Sequence, residues 1–349
     1  MEEEKTTITI DELMGKDYLL FDVRSPKEYE EYFIPGAKSL SIFTNEERAE
    51  IGTLYKQSGK EYAVERGLGI VAPKLTGIFQ KIKSEMQNNP GKQVVIYCAR
   101  GGMRSKSISQ TMNLMGIECL QLIGGIRSYR KSIEQFFHEM AKNAKRIIVI
   151  EGHTGAMKTK LLEKLQNEDY PVINLEKLAG HRGSIFGGIG EEAAAQKKFE
   201  SRLYERLKEI QHSPYLIIES ESKRIGRVII PQFLLEGKFF GTRIHVHIPF
   251  TMRVKHICEV YNPSLHKEQI EEAINKLAKR ISPPIRADIE EAVLNNDYEK
   301  VVSRLLESYY DPKYAYAKEK YDSTCVDVAA STFEELYQKV KNEIDVIIN

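Results

Sequence analysis

Twice in this chain a short apolar segment runs through a glycine-bearing turn directly into a helical pattern. The first is Val94-Val95-Ile96-Tyr97-Cys98-Ala99-Arg100-Gly101-Gly102-Met103-Arg104-Ser105. The second covers residues 146–165, with Gly152-His153-Thr154-Gly155-Ala156-Met157-Lys158-Thr159 at its turn. A strand feeding a helix in this way belongs to a parallel sheet, because parallel neighbours need a crossover and a helix usually supplies it. Residues 6–10, 18–23, 93–97 and 118–122 read as strands accompanying the first turn, with a helix over 106–115. Strands over 146–150, 171–175, 215–219 and 243–248 accompany the second, with a helix over 160–165. The repetition predicts an α/β chain in two parts. A length of 349 residues, beyond the usual single-core size, agrees. The charged stretch 139–145 sets the expected boundary, giving parts 1–140 and 145–349. From Ser264 onward the pattern is mostly helical, with breaks expected at Pro283-Pro284 and Asp311-Pro312.

Charge excludes some partners and permits others. Lys and Arg number 51 against 50 Asp and Glu, so no overall field draws in nucleic acid or an anionic membrane, and any RNA must meet a local basic patch. Cys98, Cys119, Cys258 and Cys325 show neither CxxC pairing nor His spacing, which argues against a zinc site or a disulfide framework and for a reducing compartment. Met1-Glu2-Glu3-Glu4 is the reverse of a signal-peptide start, and no apolar run reaches bilayer length, so a cytoplasmic location and no membrane partner are expected. The sequence sets no oligomeric state.

Cys98 ends an apolar strand where turn N–H groups converge. With Arg100 and Arg104 adding charge, and Gly101 and Gly102 letting the backbone curl, the thiol is expected to ionise easily and act as a nucleophile. Cys119, Cys258 and Cys325 lack such surroundings and read as core. Phe21-Asp22-Val23-Arg24-Ser25-Pro26, Ile34-Pro35-Gly36-Ala37, Tyr97-Cys98 and Gly124-Gly125 together resemble the rhodanese family. The resemblance implies a rhodanese-like N-terminal domain, with Asp22 and Arg24 holding the active loop and Cys98 carrying a persulfide or a selenium adduct. Cys98 and Arg104 bracket one residue more than the standard rhodanese loop. That suits a tetrahedral oxyanion, as in the related phosphatases, although Tyr97 stands where those usually have His.

The second turn is similar to a Walker A loop. Its N–H groups would face a phosphate, Lys158 would neutralise outer oxygens and the Thr159 hydroxyl could bind Mg2+, with Gly152, Thr154 and Gly155 shaping the cradle. Met157 occupies the place of the consensus glycine, which points to diphosphate recognition rather than ordinary nucleotide hydrolysis. His181-Arg182-Gly183-Ser184 opens a basic glycine-rich stretch that reads either as a second anion contact or as an ordinary mobile loop. Glu219 and Glu221 end a buried strand where P-loop proteins keep their Mg2+ acid, or are simply a solvated strand end; Arg224 could then face the phosphates. No metal ligand set is assigned.

These motifs, with the insert at 47–57, the stretch 219–226 and Tyr309-Tyr310-Asp311-Pro312-Lys313-Tyr314, resemble the bacterial tRNA 2-selenouridine synthase family over nearly the whole chain. The resemblance implies a rhodanese-like domain followed by a P-loop NTPase-like α/β domain with a helical C-terminal part. It also implies replacement of sulfur by selenium in wobble 2-thiouridine of tRNA, through an S-geranyl intermediate. Geranyl diphosphate and selenophosphate would be substrates, no cofactor would be tightly bound, and selenophosphate synthetase is a candidate partner. Tyr309, Tyr310, Tyr314 and Tyr316 could stack on bases or be core. An ATP-dependent sulfurtransferase and kinase fusion, and a non-catalytic anion-binding module, are the competing readings.

Overall fold

The computed structural model describes residues 5–313 and 324–348. The chain divides into two compact units, Met1–Phe136 and Phe137–Asn349, and the division falls within the helix Ile126–Lys142, upstream of the stretch read as the boundary.

The first unit is built on five parallel strands: β1 (Thr7–Ile8), β2 (Leu19–Asp22), β3 (Lys38–Ser39), β4 (Val94–Tyr97) and β5 (Cys119–Leu122), in the order β1-β5-β4-β2-β3. The central strands β2 and β4 are buried along their whole length, as a parallel sheet covered on both faces requires. The strand expected over 6–10 is cut short by a capping box. Thr9 accepts the Glu12 N–H and Glu12 returns to the Thr9 N–H, which starts the helix Ile10–Leu13. The helix after Cys98 starts three residues earlier than expected, at Met103, because Gly102 serves as its N-cap.

The second unit also has five parallel strands. These are β6 (Arg146–Glu151), β7 (Val172–Ile173), β8 (Tyr215–Glu219), β11 (Thr242–His247) and β12 (Cys325–Ala329), ordered β12-β11-β6-β8-β7, with an antiparallel hairpin β9 (Arg224–Ile225) and β10 (Val228–Ile229) beside them. Ile148, Ile150, Ile217, Ile244 and Val246 supply the sheet's core, closed by Leu336, Tyr337, Val340 and Ile344 of the last helix, Phe333–Ile348.

The helical stretch expected from Ser264 lies between β11 and β12. Helices Phe250–Tyr261, Pro263–Leu277, Pro283–Leu294 and Tyr298–Leu305 share a second core that also takes in Phe186 and Ile189 from the glycine-rich stretch. Strand β12 went unread in the sequence because its alternation is so short: Val326 and Val328 turn to the core while Cys325 and Asp327 do not. Pro283 opens a helix behind Ser282, as expected of a break, since a proline at the first turn loses no hydrogen bond. Asp311-Pro312 does not break the chain. A π-helical turn, Leu306–Tyr310, leads into helical residues 311–313, the wider turn leaving room where a proline lacks its donor. Tyr309 is core, and Tyr314 and Tyr316 lie outside the described residues.

Asp22 at the end of β2 is fully buried, and Arg24, 3% exposed, meets it through Nη2 at 2.7 Å and Nε at 2.9 Å. Removing one member strands the other charge out of water, so Asp22→Ala is expected to cost about 3–5 kcal/mol in urea unfolding. A loss below about 1 kcal/mol would show the pair to be dispensable.

Candidate active sites

Cys98 stands immediately after β4, at 2% exposure, beneath a turn whose Arg100, Gly102 and Met103 are exposed. The turn is clamped from behind. The Cys98 carbonyl accepts the Ile126 N–H at 2.9 Å and the Ala99 carbonyl that of Arg127 at 3.3 Å. Gly125 is obligatory here, since a Cβ would come 2.1 Å from the Cys98 carbonyl oxygen and φ is +57°.

Burial pushes the Cys98 thiol up, but the Ser105 hydroxyl, the Arg100 and Ser105 N–H groups and the Arg104 charge outweigh it, so the thiol ionises below its ordinary value. The sulfur lies 3.1 Å from Ser105 Oγ. Gln121 Nε2 donates to that same oxygen at 3.1 Å and to the Gly101 carbonyl at 2.7 Å, so the Ser105 proton is shared between the sulfur and the Gly102 carbonyl, 3.2 Å away. Ser105 and Gln121 were missed in the sequence, where only charged neighbours drew attention.

The arginines act less directly than expected. Arg104 Nη1 is bound to Glu28 Oε2 at 2.8 Å, and Arg48 Nε lies 3.5 Å from the same oxygen. Arg100 contributes its N–H, with its side chain outside. Arg24 Nη2 donates to the Tyr32 carbonyl at 2.6 Å, and Asp22 pairs across β2 and β4 with Tyr97, the residue before Cys98. Among the other cysteines, Cys119 is buried as expected, Cys258 is half-buried, and Cys325 is exposed on the edge strand, against its reading as core.

In the second unit the phosphate loop is shaped by close approach. A Cβ on Gly152 would lie 2.6 Å from the Val246 carbonyl, and one on Gly155, at φ +80°, 2.7 Å from Ile257. Met157 adopts φ 59°, ψ 22° as the N-cap of the helix Lys158–Asn167. It therefore holds the left-handed conformation that the consensus glycine adopts freely. Lys158 Nζ folds back onto the Gly152 and His153 carbonyls at 2.8 and 3.3 Å, and the Thr154 carbonyl accepts from Arg253 Nε at 2.9 Å.

Glu219, Glu221 and Glu176 bring carboxylate oxygens within 4.8 Å of one another. Glu219 is fully buried; it accepts the Glu176 N–H at 2.8 Å through Oε1, while Oε2 has no partner. Burial, then the neighbouring carboxylates, raise Glu219 well above the usual range and bring Glu221 up to about 7; burial likewise raises Glu176. Thr159 Oγ1 donates to Glu176 Oε2 at 2.9 Å. Glu176 went unread because it lies at the start of an unrelated helix, Leu175–Ala179, which Asn174 caps.

The glycine-rich stretch backs onto this cluster: a Cβ on Gly183 would lie 2.7 Å from Glu221 Oε2. Its polar side chains are turned inward on the loop. Arg182 Nη1 binds the Ile189 carbonyl at 2.9 Å, His181 Nδ1 accepts the Gly183 N–H and Ser184 Oγ the Phe186 N–H, both at 3.1 Å. Arg224 is exposed at the start of the β9–β10 hairpin. Beside the loop lies an apolar cleft walled by Phe186, Ile257, Ile270, Tyr298, Val301 and Leu306, with Thr154 and Ser184 on it.

A reactive thiol loop on one parallel sheet and a phosphate loop with a carboxylate cluster on another define a two-unit α/β enzyme of rhodanese and P-loop type. Residues 7–132 match the rhodanese-like domain, and residues 145–287 match the domain described as the tRNA 2-selenouridine synthase AAA domain. The tRNA 2-selenouridine synthase of Nitrosomonas europaea is 33% identical over 284 residues, 78% of this chain and 73% of that one. Those of Psychromonas ingrahamii and Hahella chejuensis are 28% and 29% identical; the first match covers 86% of this chain and 88% of that protein, the second 86% of each. The chain belongs to the tRNA 2-selenouridine synthase family, and is an enzyme of tRNA modification. Among the described residues no helix is long and apolar enough to cross a membrane.

Peptide-mapped alkylation of Cys98 is expected to reach its plateau below the ordinary thiol range near about 8.5, because the thiolate persists as pH falls. Cys119 and Cys258, pushed up to about 12 and about 11, serve as internal controls, and Ser105→Ala should move Cys98 toward them. A Cys98 profile matching Cys258 would refute the activation. At the phosphate loop, Met157→Gly should be more stable than Met157→Ala by about 1 kcal/mol, the reverse of the ordinary helix ranking; equal thermal stability would exclude backbone strain there.

Proposed function

We propose that the second unit binds geranyl diphosphate and the first handles selenium from selenophosphate, acting in turn on wobble 2-thiouridine of tRNA. The observation that carries this reading is the apolar cleft with the phosphate loop's Thr154 in its wall. Such a lining suits a branched hydrocarbon attached to a diphosphate, whereas a nucleotide's base and ribose would want convergent polar groups. That favours the prenyl diphosphate over the ATP-dependent fusion, and the activated thiol speaks against a purely anion-binding module.

In this reading the N–H groups from Gly152 to Thr159 and the Lys158 ammonium receive the diphosphate, with His181, Arg182, Gly183 and Ser184 closing the far side. The ring sulfur of the tRNA base attacks the allylic carbon, a carbon–sulfur bond forms, and the carbon–oxygen bond breaks to release diphosphate. Thr159, Glu176, Glu219 and Glu221 fit a Mg2+ ion: oxygen donors suit it and Glu219 Oε2 lacks a partner. When bound, the ion would neutralise charge on the departing diphosphate.

The alkylated sulfur is then a better leaving group. Selenium of selenophosphate bonds to C2 of the base, the geranyl thiolate departs, and water takes the phosphoryl group from selenium. The Cys98 loop, one residue longer than a standard rhodanese loop, receives the tetrahedral oxyanion, and its thiolate assists this second step. Arg100, Gly101, Gly102 and Arg104 shape that cradle, supported by Asp22 and Arg24.

Incubation with 2-thiouridine tRNA, geranyl diphosphate and selenophosphate, followed by mass spectrometry of the nucleosides, tests both halves. Cys98→Ala is expected to leave geranylated uridine and lose at least about a hundredfold of 2-selenouridine, while Lys158→Ala should lose both products. Equal loss of both products in Cys98→Ala would overturn the division of labour.

A further inference from the structure

We propose that His245, His247 and Asp327 form a site for a first-row divalent transition metal of the zinc class. Strands β11 and β12 run parallel and place His245 opposite Asp327. His247 follows two residues later on the same face, while the alternating Ile244 and Val246 enter the core. His245 Nδ1 lies 3.0 Å and His247 Nε2 2.7 Å from one carboxylate oxygen, Asp327 Oδ1, and each residue offers one donor atom within 4.8 Å of the other two. Three donors each roughly 2.0–2.2 Å from one ion in a tetrahedral site lie about 3.3–3.6 Å apart, so the two ring nitrogens would draw back from Asp327 Oδ1 by roughly half an ångström to admit one.

The two imidazoles meet at a single carboxylate oxygen, Asp327 Oδ1. Toward an ion, the three residues offer two imidazole lone pairs and a carboxylate, a donor set that suits Zn2+, Ni2+ or Cu2+ and is a poor match for Mg2+. The Glu176, Glu219 and Glu221 cluster offers oxygen alone. Two sites in one unit thus differ in the metal they select. The backbone supports the preorganisation: two ligands share one strand, the third lies on its hydrogen-bonded neighbour, and His245 is only 5% exposed. His247 and Asp327, with side chains 39% and 62% exposed, leave the site open to entry from solvent. The His153 ring of the phosphate loop is 6.1 Å from that of His245, so a bound ion would add positive charge close to that loop.

The full-length chain, stripped with chelator, is titrated with ZnCl2 alone, with ZnCl2 in excess MgCl2, and with CoCl2. One Zn2+ per chain should bind, Mg2+ should not displace it, and Zn2+ should raise the melting temperature. His247→Ala and Asp327→Asn, both at exposed positions, should each weaken binding by about tenfold or more while the metal-free proteins melt as the parent does. The Co2+ form should show ligand-field bands without a thiolate charge-transfer band, which separates this site from Cys325 two residues before Asp327 on the same face. Absence of binding, binding unchanged by both substitutions, or a thiolate band would each overturn the assignment.

Discussion

The carboxyl ends of β2, β6 and β8 each lead a carboxylate toward the interior, and a charge removed from water persists only with a partner. Asp22 has Arg24, and Glu151 has Arg243, whose Nε lies 2.9 Å away. Glu219 has one N–H from Glu176 and nothing on its other oxygen. That imbalance is what distinguishes the second unit. Three carboxyl groups crowd one another opposite Lys158, so together they favour a shared proton or a cation. Gly183 and Thr159 approach the cluster because small or hydroxylated residues are what such closeness tolerates.

The first unit handles its charge differently. The Cys98 sulfur is buried, which alone would keep it protonated; the counterweight is mostly neutral dipoles at short range. Ser105, oriented by Gln121, and two backbone N–H groups do most of this, while Arg104 is tied to Glu28 and works from farther off. A cradle made of dipoles can receive an incoming oxyanion without surrendering a bound counter-ion first. The clamp of Ile126 and Arg127 on the loop carbonyls, permitted by Gly125, keeps those dipoles aimed.

Helices inserted between β11 and β12 give the phosphate loop its apolar neighbour. Phe186 and Ile189 anchor the glycine-rich stretch in the helical core. Asp311, beyond the π-helical turn, holds Arg253 through Nη1 at 3.0 Å, and Arg253 in turn holds the Thr154 carbonyl. A proline expected to end a helix instead marks the place where the insert is tied to the phosphate loop.

Local pattern was enough to read two parallel α/β units, the thiol turn and the phosphate turn, because apolar runs, glycine turns and charge spacing are written in consecutive residues; the family followed from the resemblance of those motifs to known ones. Local pattern also placed Glu219 and Glu221 at a strand end. It could not show Ser105 and Gln121 at the sulfur, Glu176 beside Glu219, or the meeting of His245 with Asp327, whose partners lie 7, 16, 43 and 82 positions apart. Cys325 read as core and Asp311-Pro312 as a break for the same reason: exposure and helix continuation are set by what packs alongside. Strand pairing and side-chain burial act through space, so the tertiary structure alone decided which carboxylate lacks a partner, where an apolar cleft opens beside the phosphate turn, and which dipoles surround the thiol.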